Sequence, residues 1–178
     1  METMVFDTAL GLFGIGWTAA GVARVQLPGL DSAALTARIN RDGAVPGAPS
    51  RRIEAVIERI EDYAAGERVA FSAADVDLAG VPEFHRRAYE ALLAFGWGQT
   101  TSYGALAQAL GDRRLARAVG QAMGANPVPL LVPCHRVLAS TGKPGGFSAP
   151  GGAGSKLRML ALEGVSVGAP AGQMAFGF

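Results

Sequence analysis

The stretch Thr101-Ser102-Tyr103-Gly104-Ala105-Leu106-Ala107-Gln108-Ala109-Leu110-Gly111-Asp112-Arg113-Arg114-Leu115-Ala116-Arg117-Ala118-Val119-Gly120-Gln121-Ala122-Met123 organises the reading of the whole chain. The hydroxyl of Thr101 or Ser102 can accept from a free amide of a first helical turn, so a short helix is predicted from there through Leu110. Gly111-Asp112 supplies a turn, and Leu115, Ala118, Val119, Ala122 and Met123 then recur at helical spacing, so a second helix is predicted from Arg113. Helix, short glycine turn, helix is the helix-turn-helix plan. The second helix carries Arg113, Arg114 and Arg117 where a helix that reads DNA would want them. Many helical hairpins bind nothing, so the pattern alone does not settle a function.

Upstream, Phe84, Ala88, Ala91, Leu92 and Phe95 lie at helical spacing and are closed by Gly96 and Gly98. Further back, Ser50 can cap a helix whose Ile53, Val56, Ile57, Ile60 and Ala64 form one apolar stripe, stopped by Gly66. Pro46, Gly47 and Pro49 mark a loop before it. The runs Met4-Val5-Phe6, Leu12-Phe13-Gly14-Ile15-Gly16-Trp17 and Val22-Ala23-Arg24-Val25-Gln26-Leu27, separated by Gly11 and Ala20-Gly21, read as an antiparallel meander. Val69-Ala70-Phe71 and Val76-Asp77-Leu78 read as further short strands. Downstream, Pro127, Pro129 and Pro133 exclude an ordinary helix, because proline lacks an amide hydrogen and pushes the preceding residue to extended geometry. A rigid extended strap is predicted there. Gly142, Gly145, Gly146, Gly151, Gly152 and Gly154 mark a permissive loop, after which Ser155 is predicted to cap a last helix through Leu160 to Glu163, ended by Gly164. The fold class is α+β: residues 1–80 form a small α/β domain, residues 81–166 a mainly helical one with its helix pair at 102–125 and its strap at 126–137, and residues 167–178 a tail.

Composition sets limits. With 178 residues, 49% of them apolar, the chain can bury a real core. No run approaches the roughly 18 consecutive apolar residues of a membrane span, and Met1-Glu2-Thr3 lacks the basic start of a secretory signal. A cytoplasmic protein without membrane association is expected, and the single cysteine excludes an internal disulfide. A structural zinc site takes four Cys or His ligands, and only Cys134, His85 and His135 are present, so neither metal nor other cofactor is expected. The net charge of +1 hides an asymmetry. Residues 113–158 hold seven basic groups and no Asp or Glu, whereas residues 1–112 hold nine basic and fourteen acidic groups. A positive stretch free of acids suits a polyanion, since Lys and Arg gain by displacing counterions from phosphates; a solvated face is the plainer reading.

Cys134 follows the proline-rich strap and precedes His135 and Arg136. A thiol reacts as thiolate and needs a base or positive surroundings. In an extended segment His135 would face away from Cys134, so a water or a backbone turn must connect them. Glu163 is the only acid after Asp112 and the natural partner to orient His135, which gives a relay from Glu163 through His135 and water to Cys134. The pair Cys134-His135 taken alone more readily reads as a buried thiol acting as a small hydrophobe beside a satisfied core histidine.

The longer run Asn126-Pro127-Val128-Pro129-Leu130-Leu131-Val132-Pro133-Cys134-His135-Arg136-Val137 resembles the active-site signature of the methylated-DNA–protein-cysteine methyltransferases, the O6-alkylguanine-DNA alkyltransferases. Ser102-Tyr103, Ala116-Arg117-Ala118-Val119-Gly120 and Leu162-Glu163-Gly164 follow the family's order at close to its spacing, over roughly residues 82–164. The N-terminal part, with Phe6-Asp7-Thr8 leading into short strands, is loosely similar to the family's ribonuclease-H-like domain. The resemblance implies single-use transfer of an alkyl group from O6 of guanine, or O4 of thymine, in double-stranded DNA to Cys134, by a monomer whose second helix enters the minor groove. It implies that His135 takes the thiol proton with Glu163 orienting it, that Asn126 braces the strap, and that Tyr103 protonates the leaving base and helps to turn the nucleotide. Arg117 would fill the gap left in the duplex, with Ala116 allowing close approach and Arg113, Arg114 and Arg136 contacting DNA. Met123, Pro129, Val137, Phe147 and Ser148 would line the pocket, and the carbonyls of Cys134 and Val137 would read the guanine amino group. The commonest family loop, Tyr-Ser-Gly-Gly, is replaced here by a longer Phe147-Ser148-Ala149-Pro150-Gly151-Gly152. Two other classes fit parts of the pattern. One is a helix-turn-helix regulator that senses alkylation or oxidation through Cys134, and the other is a cysteine hydrolase, which would turn over repeatedly.

Overall fold

A computed structural model of the chain describes residues 1–167; beyond residue 167, the expected tail lies outside the described residues. The three N-terminal runs form strands β1 (Glu2–Phe6), β2 (Phe13–Trp17) and β3 (Val22–Gln26), paired antiparallel as the meander predicts. A short strand β4 (Val45–Pro46) adds parallel to β1, giving the order β3-β2-β1-β4, with Pro46 on an edge where its missing N–H costs no ladder bond. Alternation along β2 sends Phe13, Ile15 and Trp17 into the core and leaves Gly14 and Gly16 on the other face. Helix α1 (Ser32–Ile39) lies on that second face, and a side chain at Gly14 would meet Ile39 and Leu35 at 3.3 Å. The apolar pattern does not announce α1, because only Leu35 and Ile39 of its eight residues are buried.

Helix α2 (Arg51–Ala64) carries the predicted stripe, although Ser50 sits at its N-cap position without a side-chain bond. Residues 69–71 form no strand, and residues 76–78 supply only a single bridge, Val22 to Val76, reinforced by Asp77 N donating to Val22 O at 2.8 Å. The intervening residues instead make a turn, Ala73–Asp75, in which Asp75 bonds back to Ser72 and pairs with Arg59 at 2.6 Å. Side-chain capping here outcompetes a strand ladder.

Helices α3 (Glu83–Leu92), α4 (Tyr103–Ala109) and α5 (Ala116–Gly124) pack on one another. Ser102 caps α4 by accepting from Ala105 N at 3.1 Å. The second helix of the pair begins three residues later than expected. Asp112 accepts from Arg114 N at 2.9 Å and holds Arg113–Leu115 as a 3-10 turn ahead of α5. Two short parallel strands, β5 (Thr101–Ser102) and β6 (Val137–Leu138), bring the start of α4 beside the residues after Cys134. The last helix α6 (Gly152–Leu162) also starts three residues before the expected Ser155, which lies within the helix and donates to Pro150 O at 2.6 Å. Buried residues of both halves form one continuous cluster, from Phe6 and Ile15 through Ile60 and Tyr63 to Leu106, Val119 and Met159.

Candidate functional site

The segment from 126 to 133 is folded back on itself, not extended. Asn126 Oδ1 accepts from Val128 N at 3.0 Å while its Nδ2 donates to Val132 O at 2.9 Å, so one side chain clamps both ends of the loop. Between them Val132 N donates to Val128 O at 3.0 Å and Leu130 takes a left-handed φ of 79°. The pre-proline restriction acts on Val128 and Val132 but leaves Leu130 and Leu131 free to turn. Burial of Val128, Leu130, Leu131 and Val132 offsets the cost of about 1–2 kcal/mol for a left-handed leucine.

Pro133, at φ −80° and ψ 62°, then forms an inverse γ-turn in which Cys134 N donates to Val132 O at 2.8 Å. Cys134–Arg136 follows as a 3-10 turn, yet His135 Nδ1 has no hydrogen-bond partner among the described residues, so the turn alone does not join it to Cys134. The turn ends on β6, and its neighbour β5 delivers Tyr103 to the same place. Cys134 lies at a cavity of about 460 Å³ together with Tyr103, Gly120, Met123, Gly124, Gly146, Phe147 and Ser148. A second groove of about 290 Å³ meets the first at Cys134 and adds Pro129, Ala149, Pro150, Val25, Leu27, Arg38 and Arg41.

Behind the thiol, Glu163 gathers five hydrogen bonds. Its Oε1 accepts from His135 Nε2 at 2.7 Å, Arg136 Nη2 at 3.0 Å and Tyr63 Oη at 3.1 Å; its Oε2 accepts from Arg136 Nε at 2.9 Å and Gly98 N at 3.1 Å. Gly98 has φ 70°, and a side chain there would press on the Glu163 carbonyl at 3.0 Å, so only glycine fits. Burial raises the Glu163 carboxyl, but His135 and Arg136 outweigh it and hold the pKa at about 2. Burial likewise pushes the His135 imidazole down, against the pull of Glu163. His135 is therefore neutral beside an ionised carboxylate, which can only accept, so the ring proton sits on Nε2. That assignment leaves the Nδ1 lone pair basic, and Nδ1 has no hydrogen-bond partner among the described residues.

Burial raises the Cys134 thiol, opposed by Asn126 and by the charge of Lys156. It is a neutral thiol at rest, not a standing thiolate, so it must be deprotonated as it reacts. Lys156 is itself buried on α6, donates to Val137 O at 2.6 Å, and lies over the rings of Tyr103 and Phe147 at 5.8 and 6.0 Å. Burial keeps Tyr103 above its ordinary pKa, so its hydroxyl remains a proton donor.

The structure brings together Cys134, His135, Glu163, Asn126 and Tyr103, and puts Met123, Phe147 and Ser148 on the cavity with Pro129 in the adjoining groove. Two expectations are corrected. Arg136 is buried and both arms of its guanidinium are occupied, by Glu163 and by Phe95 O, so it is not available to DNA. Val137 lines neither cavity; its side chain is enclosed in β6. Ser148 Oγ donates to Gly124 O at 2.9 Å and so ties the loop to the end of α5. Arg113 and Arg114 stand exposed in the 3-10 turn, Arg114 paired with Asp112 at 2.8 Å. Exposed Arg117 and half-buried Ala116 open α5; Arg117 shares a helix face with Gly120 and Gly124 of the cavity wall. Sequence reasoning missed Lys156 and Tyr63. Lys156 lies seven residues before Glu163, hence on the same helix face, which was a usable signal. Tyr63 reads as one more member of the α2 stripe, and its partner is 100 residues away. Among the described residues no group of three or more His, Cys, Asp or Glu is placed to hold a metal ion, and no helix is long and apolar enough to cross a membrane.

The geometry defines a class: a protein with a buried acceptor thiol at a cavity, backed by a neutral histidine and a carboxylate. Comparison with known proteins gives the particular family. Residues 83–165 match the model described as the 6-O-methylguanine DNA methyltransferase, DNA binding domain. The methylated-DNA–protein-cysteine methyltransferase of Mycolicibacterium paratuberculosis is 42% identical over 113 residues, 64% of this chain and 66% of the relative. A crystal structure of the Mycobacterium tuberculosis O6-methylguanine methyltransferase is 31% identical over 91% of this chain and 92% of that one, with a TM-score of 0.72. Another, of the same organism's enzyme in complex with DNA, has a TM-score of 0.76 at 29% identity, covering 92% of each chain. The chain belongs to the methylated-DNA–protein-cysteine methyltransferase family. Against the curated mycobacterial relatives the matched region spans 66% and 62% of their length.

Proposed function

We propose that this protein repairs O6-alkylguanine, and O4-alkylthymine, in double-stranded DNA by moving the alkyl group irreversibly to Cys134. The observation that carries this reading is the acceptor thiol at a cavity large enough for a base, with His135 fixed behind it by Glu163 so that Nδ1 is a free base. In the reaction the Cys134 Sγ–carbon bond forms as the carbon–O6 bond breaks. The thiol proton passes through a water to His135, the electron pair goes to the guanine, and Tyr103 donates a proton to the leaving base and is reprotonated from His135. Thiol plus alkylguanine becomes thioether plus guanine, so one molecule repairs one lesion. Lys156 stabilises the developing thiolate in a site where little water screens the charge. Asn126 sets the thiol by clamping the loop before it.

A target carbon inside a duplex must be extruded, at a cost of a few kcal/mol that is smaller for a mispairing base. The α4–α5 pair acts as a helix-turn-helix, with α5 in the minor groove, Ala116 permitting close approach and Arg117 replacing the extruded base. Weak sequence readout in that groove suits a search for damage in any context. Arg113 and Arg114 contact phosphates. The mycobacterial enzyme crystallised with DNA supports this choice of partner. Residues 1–80 form the ribonuclease-H-like domain and 81–166 the DNA-binding and acceptor domain, and the protein acts as a monomer. A regulator that only sensed damage would need no oriented histidine at its thiol.

The test is a duplex containing O6-methylguanine mixed with the protein, followed by intact-mass and peptide spectra. One added methyl on Cys134 and no more than one equivalent of repair is expected, with no adduct on Cys134→Ser. Repeated turnover, or loss of the methyl without a protein adduct, would overturn the reading.

A further inference from the structure

We propose that the groove beyond Cys134 is a subsite for O6-alkyl groups that end in an anion, with Arg38 and Arg41 holding the charge. This rests on the alkyl-transfer reading above and names the substrate class that the groove selects. Its walls change character along its course. Pro129, Phe147, Ala149 and Pro150 offer apolar surface fit for a methylene chain, whereas Gln26, Arg38 and Arg41, from β3 and the region of α1, are polar. The loop that departs from the commonest family pattern builds one wall, and it is fixed in place. Ser148 is tied to Gly124 O at 2.9 Å, Pro150 O accepts from Ser155 at 2.6 Å, and a side chain at Gly29 would touch Pro150 at 3.0 Å.

The opposite wall is locally basic within the acidic half of the chain. Arg38, in the last turn of α1, is exposed and has no ion pair among the described residues. Arg41 meets Asp42 only at 3.5 Å, and that carboxylate is taken at 2.8 Å by Arg24. Three arginines thus face one acid beside a groove that opens onto the acceptor thiol. A carboxylate on the end of an alkyl chain meets both requirements of this groove, apolar contact first and an arginine fork at the end.

The experiment compares single-turnover transfer from duplexes carrying O6-(ω-carboxyalkyl)guanine with transfer from the carboxamide of the same length, over a graded series of lengths, with O6-methylguanine alongside. At the best length the carboxylate is expected to react about fivefold faster than its amide, and the ratio should fall toward one at high salt. Arg38→Ala, Arg38→Gln and Arg41→Ala should each lower that ratio, and Arg38→Glu should invert it. These are exposed positions, and thermal melts show whether each variant is folded. A ratio of one at every length in a protein that still transfers methyl overturns this inference alone. Equal slowing of all three lesions by the arginine variants, with weaker duplex binding, also overturns it and assigns Arg38 and Arg41 to DNA phosphates. Failure to transfer even methyl would instead sink the function proposed above.

Discussion

Five donors converge on the Glu163 carboxylate, and two of them belong to the buried guanidinium of Arg136. In Glu163→Gln an NH2 group would face Arg136 and the guanidinium would lose its counter-charge, so unfolding experiments should show a loss of about 3–5 kcal/mol. The pH dependence follows with a definite sign. The folded pKa of about 2 lies below the unfolded 4.5, so this carboxylate stabilises the fold fully above pH 4.5 and loses that contribution as pH falls toward 2. Urea midpoints measured down that range should fall for the native protein, with the slope reduced in Glu163→Gln. Lys156 acts on the thiol. Its charge lowers the Cys134 pKa against burial, so in Lys156→Met the pH–rate profile for alkyl transfer should move to higher pH, while Lys156→Arg keeps the charge and should move it less. The acceptor, the base and its orienting acid were legible in the sequence because they are rare there: one cysteine, two histidines and one acid after Asp112. Arg136 was misread as a DNA contact for the converse reason, since an arginine in a basic stretch looks solvated until its buried partner is seen.

The loop from 126 to 133 sets the thiol more than any helix does. Asn126→Ala would remove two hydrogen bonds inside a mostly buried loop, leaving Val132 O and Val128 N without those partners, and should cost about 2 kcal/mol in stability. Transfer to Cys134 should slow at the same time, and Asn126→Asp, which keeps the acceptor for Val128 but not the donor for Val132, should fall between; single-turnover rates and melts on the three proteins check both points. Helices α2, α3 and α5 were legible because each buries a regular apolar stripe, and the meander because strand alternation and glycine turns coincide. The loop was not, because three prolines argue locally for an extended strap, whereas its actual course is decided by the Asn126 clamp and by burial of four apolar side chains. Capping chemistry explains the shifted helix starts. Asp112 and Ser155 each bond to nearby backbone, and which turn such a residue closes depends on neighbours that propensity does not count.

At the scale of the whole molecule the two halves are joined at three kinds of contact. The outer edge of β3 is bonded to the acceptor loop, with Val25 N donating to Pro127 O at 2.8 Å; Tyr63 of α2 reaches Glu163; and one apolar cluster runs through both halves. Burial keeps the Tyr63 hydroxyl well above its ordinary pKa, so it remains a donor, and Tyr63→Phe should cost about 1 kcal/mol through the carboxylate it no longer satisfies. A chain with two independent cores would unfold in two steps, whereas a core shared to this degree should unfold in one. Two tryptophans make the distinction measurable, since Trp17 is buried in β2 and Trp97 packs edge-on against Tyr63 at 5.4 Å beside the Glu163 cluster. In Trp97→Phe the remaining fluorescence reports the sheet, and in Trp17→Phe it reports the site. Each substitution will shift the absolute midpoint, so the comparison is made within each variant, between its tryptophan signal and its far-ultraviolet circular dichroism. Coincident urea transitions in both variants are the expected result. A site signal that melts clearly before the helices would mean that the acceptor half opens by itself, and the sheet would then be a neighbour of the active site, not part of its support.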